Sequence, residues 1–121
     1  MKQLETAYWA EIAAFRQAWA GQYAADAWPY LERAHILSQQ VLRLHLHAHA
    51  VMLTFALFRR EWREVRGQLL RLILAPLGAL AGRIPLGNTG RASVSAFAPM
   101  PIPDDLRLSV VRTFGTTRGV N

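Results

Sequence analysis

The sequence predicts an all-α protein, built as two stacked antiparallel helical hairpins with a Gly/Pro-rich extended arm at the C-terminus. Helix-forming residues dominate residues 1–82, and apolar side chains there recur at spacings of three and four, the period of an amphipathic helix. After Gly82, glycine and proline become frequent, and both oppose helix and central strand. We therefore expect one helical domain over residues 1–112, with the arm from about residue 82, and a flexible tail over residues 113–121.

The first two helices are predicted from their apolar spacing and from the residues at their ends. The first covers residues 3–20 and stops at Gly21. Its apolar positions are Leu4, Tyr8, Ile12, Phe15 and Trp19. The second helix is short: Asp26 is expected to cap it, Pro29 is tolerated in its first turn, and it ends near Ser38.

Two further helices complete the predicted pair of hairpins. Ser38 is expected to cap a third helix over residues 39–58. A fourth helix begins at Glu61 and keeps the helical period until Pro76 or Gly78, where helix breakers appear. In the arm, Asp104-Asp105 is expected to cap one final short turn.

The region around the second helix resembles a tetratricopeptide-like repeat. Gly21-Gln22-Tyr23 stands at the turn and Leu31-Glu32-Arg33-Ala34 lies in the following helix, where small residues allow close helix approach. The two halves of the helical region also overlay at a period of about 39 residues, which sets Tyr23 on Trp62. The pattern supports stacked hairpins without establishing a peptide-binding groove.

Composition narrows the possible functions. The chain has no cysteine, which excludes a disulfide framework, a thiolate metal site and a cysteine nucleophile. The N-terminal residues lack the pattern of a signal peptide, so export is not expected and the cytoplasm is the predicted compartment. The most apolar window, residues 69–80, contains Arg71 and Pro76 and is too short to cross a bilayer, so no membrane span is predicted.

The formal net charge of +6 is weak support for an anionic partner. Arginines flank Trp62 near the predicted turn between the third and fourth helices, but Glu61 and Glu64 dilute their charge. A solvated face with local ion pairs is favoured, and nucleic acid is not expected as a partner. A protein partner or a homo-oligomer remains open.

Histidines carry the main functional hypothesis. His45 and His49 lie four residues apart on one helical face, and antiparallel pairing of the second and third helices brings His35 opposite them. Glu32 lies one turn before His35 on the same face. A mononuclear site with His35, His45, His49 and Glu32 would suit zinc, copper, nickel or iron. The chain is therefore predicted to be a small metal-binding or metal-handling protein.

The same histidines and helices allow three interpretations other than a metal-binding protein. Each histidine can instead be an interior residue that forms hydrogen bonds, and His47, on the opposite face from His45, is expected to meet solvent or another helix. The whole chain can be a metal-free helical-repeat module that binds another protein. An enzyme in which a bound metal activates water ranks third, because the sequence offers only Glu32 for proton transfer.

The segment Gly87-Asn88-Thr89-Gly90 is predicted to be a structural turn that pins the arm to a helix end through polar side chains. Anion binding by its amides, with Arg91 adding charge, is the alternative. The segment lacks the strand, lysine and helix entry of a phosphate-binding loop. The structural interpretation is therefore preferred.

Five segments together resemble a family of small bacterial proteins of unknown function that is marked by a Gly-Asn-Thr-Gly motif. The resemblance covers roughly residues 20–106. The matching segments are Ala34-His35-Ile36-Leu37-Ser38-Gln39, His45 to His49 with Met52-Leu53, Glu64-Val65-Arg66-Gly67-Gln68, Gly87-Asn88-Thr89-Gly90 and Pro99-Met100-Pro101-Ile102-Pro103. The resemblance implies kinship and supplies no activity.

Overall fold

The computed structural model describes residues 1–21, 23–82, 87–95 and 98–114, and every regular element within these ranges is helical. The α-helices are α1 (Lys2–Ala20), α2 (Trp28–Ser38), α3 (Leu42–Phe58), α4 (Trp62–Ala81) and α5 (Asp104–Phe114), with a 3₁₀ turn at Ala24–Ala27. The all-α prediction is confirmed. The finer arrangement, tetratricopeptide-like hairpins with an extended arm, stays a prediction.

The side-chain caps predicted for α2 and α3 are wrong. Asp26 lies inside the 3₁₀ turn, and α2 begins after Ala27 with no capping bond from a side chain. Ser38 is the last residue of α2, and its buried hydroxyl donates to the carbonyl of His35. α3 starts only at Leu42, because a turn stabilised by the Val41 amide and the Ser38 carbonyl separates the two helices.

The last two helices are longer than expected. α4 continues through Pro76 to Ala81. Gly82 follows as its C-cap, with φ of +68°, the left-handed conformation that glycine adopts easily. Leu and Ala flank Pro76 and are strong helix formers, so one missing N–H does not end the helix. α5 has 11 residues in place of the predicted short turn and includes residues 113 and 114. The rest of the predicted tail, residues 115–121, lies outside the described residues.

Contacts between aromatic rings in the core show how the first three helices pack. Phe55 of α3 meets Phe15 of α1 and Trp28 of α2, with ring centroids 5.1 and 5.0 Å apart. Trp28 opens α2 and Phe55 lies near the end of α3, whereas His35 near the end of α2 meets His45 near the start of α3. These contacts mean that α2 and α3 run in opposite directions.

Within the described residues, none of the helices combines the length and the apolar character needed to traverse a bilayer.

Candidate metal centre

Three histidines converge between α2 and α3. His35 comes from α2, and His45 and His49 come from successive turns of α3. Their residues are 3 %, 9 % and 2 % exposed. The Nε2 atom of His35 lies 3.0 Å from that of His45 and 3.1 Å from that of His49, and the last two are 3.1 Å apart. The predicted convergence of His35, His45 and His49 is therefore present.

Hydrogen bonds on the far side of two rings fix their tautomers. Nδ1 of His35 donates to the backbone carbonyl of Asn88 at 2.7 Å, and Nδ1 of His49 donates to Oε1 of Gln68 at 2.7 Å. The Gln68 amide is oriented by its Nε2, which donates to the Gly90 carbonyl at 2.8 Å and to a Glu64 carboxylate oxygen. Because both partners are acceptors, Nδ1 carries the proton in each neutral ring and Nε2 keeps a free lone pair.

The protons available do not satisfy the three close contacts between Nε2 atoms. With His35 and His49 protonated at Nδ1, only His45 can place a hydrogen at Nε2, and one hydrogen bridges one contact well. The contact between His35 and His49 then sets lone pair against lone pair in a buried space, which costs free energy. A cation among the three nitrogens would remove this repulsion.

Protonation of the rings is a poor source of that cation. Burial, followed by the neighbouring imidazoles, lowers the pKa of His35 well below the usual 6.5. Burial also lowers the pKa of His45 and of His49 to about 4; His49 is in addition close to the positive Arg71. At neutral pH all three rings are therefore uncharged, which is the state that binds a metal ion.

The turn over residues 87–90 packs against the histidine cluster and supplies backbone acceptors to it. The Gly87 amide donates to Oε1 of Gln39, and the Asn88 side chain donates to the carbonyls of Ser95 and Ala98, both at 2.7 Å. Gly90 has φ of +79°, and its Cα faces the His35 ring so closely that an added Cβ would lie 2.8 Å from ring atoms. Through the Asn88 and Gly90 carbonyls, the turn orients two of the three rings.

Glu32, the fourth residue of the predicted site, lies outside the cluster. Its carboxylate accepts from the guanidinium of Arg91 at 3.1 Å, and Arg91 also pairs with Glu64 at 2.7 Å. The Arg91 guanidinium stacks on the Trp28 ring, 3.9 Å from its centroid. Arg91 thus anchors the residues after the turn to α2 and α4.

Sequence reasoning left His47 out of the site and missed Gln68 and Asn88. His47 lies on another face of α3, where Nδ1 shares a 2.7 Å hydrogen bond with the Tyr8 hydroxyl of α1. This agrees with the expected contact to another helix. Gln68 and Asn88 are both almost fully buried. A signal for Gln68 existed, since it is an uncharged polar residue on the inward face of an apolar helix.

The comparisons with known proteins place the chain in a family without giving it an activity. Residues 2–110 match the model of a family described as a protein of unknown function, DUF3703, and the chain belongs to that family. No match was found among curated proteins or among solved structures.

Proposed function

We propose that this member of the DUF3703 family binds one transition-metal ion through the Nε2 atoms of His35, His45 and His49. The observation that supports it is the set of three buried Nε2 atoms 3.0–3.1 Å apart, two of which carry lone pairs fixed by hydrogen bonds at Nδ1. Histidine ligands in metal sites generally donate their second ring N–H to a carbonyl or carboxylate. The Asn88 and Gln68 contacts match that arrangement.

The spacing of the nitrogens fits a metal ion on one side of their plane. At a metal–nitrogen distance of about 2.1 Å, an ion equidistant from the three atoms would lie roughly 1 Å out of that plane. The three rings then form a cap over one side of the ion. The opposite side is left for one or more further ligands, such as water.

The ligand set favours metals that bind imidazole. The cluster contains neither carboxylate nor thiolate, so magnesium and calcium, which bind oxygen ligands, do not fit. Zinc, copper, nickel and iron all accept three imidazoles. Because the three ligands are neutral, a divalent ion keeps its full charge, which favours an anion such as hydroxide in the open position.

Metal binding or transfer is a better proposal than catalysis. An enzyme that uses metal-bound water needs a proton-transfer group beside the open position. Glu32 was the candidate for that role, but its carboxylate pairs with Arg91. We therefore assign it neither to the ligand set nor to a reaction.

Metal analysis of the protein, prepared without a histidine tag, tests the proposal. The protein is loaded separately with zinc, copper, nickel and ferrous iron, freed of excess metal, and measured for bound ion. We expect one ion per chain for at least one of these metals. Metal content near zero for all four would overturn the proposal and leave a metal-free interaction module.

Gln68→Leu is expected to lower the metal affinity about 10- to 100-fold, the usual effect of losing an outer hydrogen bond to a ligand. The leucine keeps the approximate volume but removes the acceptor for His49 Nδ1, so the tautomer is no longer fixed. Competition with a chromogenic chelator measures the affinity. The control is Gln17→Leu on the exposed face of α1, which should bind like the wild type. Equal affinity for both variants would exclude a positioning role for Gln68.

A further inference from the structure

The outer face of α4 presents a row of exposed apolar side chains. All of them are at least 49 % exposed. The row, called here the α4 stripe, consists of Trp62, Leu69, Leu70, Ile73, Leu77 and Leu80. Soluble monomers rarely leave so continuous an apolar row in water, so the stripe indicates a contact surface.

The stripe is separate from the histidine cluster. The buried residues of α4, Gln68 and Arg71 among them, lie on the inward face of the helix, toward the histidines and the 87–95 segment. The α4 helix packs chiefly on α3, whereas α5 packs on α1 and α2, so α5 does not cover the stripe. Contacts made through the stripe are therefore independent of metal binding.

The spacing of the stripe suits a second helix. Trp62, Leu69, Ile73 and Leu80 occupy four of six successive core positions of a heptad repeat, and Arg66 and Pro76 occupy the other two. Leu70 and Leu77 widen this seam on one side. A narrow apolar seam of this kind pairs with another helix in preference to a flat surface.

We propose that the α4 stripe pairs with the same stripe of a second copy of the chain, with the two α4 helices antiparallel. The six side chains expose roughly 700 Å² of surface per copy, so a pair that covered all of them would bury at most roughly 1,400 Å², within the range of stable protein interfaces. The same patch on both copies gives a two-fold symmetric contact, the commonest kind in homo-oligomers.

Charge decides the direction of the pairing. Arg63 and Arg66 lie exposed at the N-terminal end of the stripe, and α4 contains no acidic residue after Glu64. Parallel helices would place the two copies of Arg66 side by side. With antiparallel helices and the two-fold axis near Ile73, the two copies of Arg66 are far apart, and each lies near the carboxyl end of the other helix, which carries partial negative charge.

The mass of the full chain in solution tests the pairing. Multi-angle light scattering on a sizing column, with chelator present to empty any metal site, should give twice the 13.6 kDa of the chain. Ile73→Glu should give the monomer mass with unchanged helical circular dichroism. Leu108→Glu, an equally exposed position on α5, is the control and should stay dimeric. A monomeric wild type, a dimeric Ile73→Glu, or a monomeric wild type that sediments with anionic vesicles would each overturn the proposal.

Cysteine cross-linking tests the direction, since the chain has no cysteine of its own. An antiparallel pair with its axis near Ile73 sets position 69 opposite position 77 of the other copy. Mixed Leu69→Cys and Leu77→Cys chains should therefore cross-link with a short bismaleimide, and each variant alone should cross-link at least ten times less. Efficient cross-linking of each variant with itself would overturn the antiparallel arrangement.

Discussion

His49→Ala is expected to lower the metal affinity of the protein at least about 100-fold, more than the loss of a supporting hydrogen bond costs. The substitution removes one of three Nε2 ligands and the ring that Gln68 orients. Metal at about 100 times its Kd stabilises a protein that binds it by about 2.7 kcal/mol. That stabilisation would raise the Tm of the wild type by about 10 °C. We expect no such rise in His49→Ala.

His47→Ala is the matched control for this experiment. His47 lies on the same helix, two residues from His49, but its ring contacts Tyr8 and Trp9 of α1 instead of the cluster. Its metal stoichiometry and its rise in Tm with metal should equal those of the wild type, even though loss of the Tyr8 contact lowers the starting Tm. If His47→Ala lost the metal and His49→Ala kept it, the ligand assignment would be wrong.

Gly90→Ala is expected to lower the free energy of unfolding by about 2–5 kcal/mol, from left-handed backbone strain and from steric overlap together. Gly90 has φ of +79°, and the added Cβ would lie 2.8 Å from the His35 ring, which is held between the turn and the other two histidines. Relief of the overlap must move either the turn or the ring. We therefore expect weaker metal binding together with the loss of stability, measured by urea unfolding and chelator competition.

Gly82→Ala separates the two causes. Gly82 has φ of +68°, so alanine there meets a similar backbone strain, but nothing lies within 4 Å of the added Cβ. This control should lose only about 1–2 kcal/mol and should bind metal normally. If the two variants lost equal stability, the close approach of Gly90 to His35 would not contribute.

The histidine cluster could be predicted from the sequence because local geometry determines most of it. The spacing of His45 and His49 places both rings on one face of any α-helix. Opposite directions of α2 and α3 follow from a short connection and bring His35 beside them. Glu32 was predicted by the same spacing argument, yet its carboxylate meets Arg91, a residue 59 positions away. No periodicity within α2 contains information about that partner.

Some helix ends could be predicted from neighbouring residues, and others could not. Gly21 ends α1 where predicted, because glycine is among the poorest helix formers, a property of the residue itself. The caps assigned to Asp26 and Ser38 were wrong, since a 3₁₀ turn and a longer connection take up these residues. α4 extends past its predicted end at Pro76 or Gly78, because the helix formers around the proline outweigh its one missing N–H.

The sequence by itself determined the all-α class, the positions of most of the helices and the presence of three histidines that can meet, because these depend on spacings of a few residues. Only the tertiary structure decided which nitrogen of the His35 ring and of the His49 ring faces the centre. That choice depends on Asn88, Gly90 and Gln68, which come from a turn and a helix distant in sequence from His35. Hydrogen bonds between distant segments form only after the chain has packed, so no local pattern encodes them.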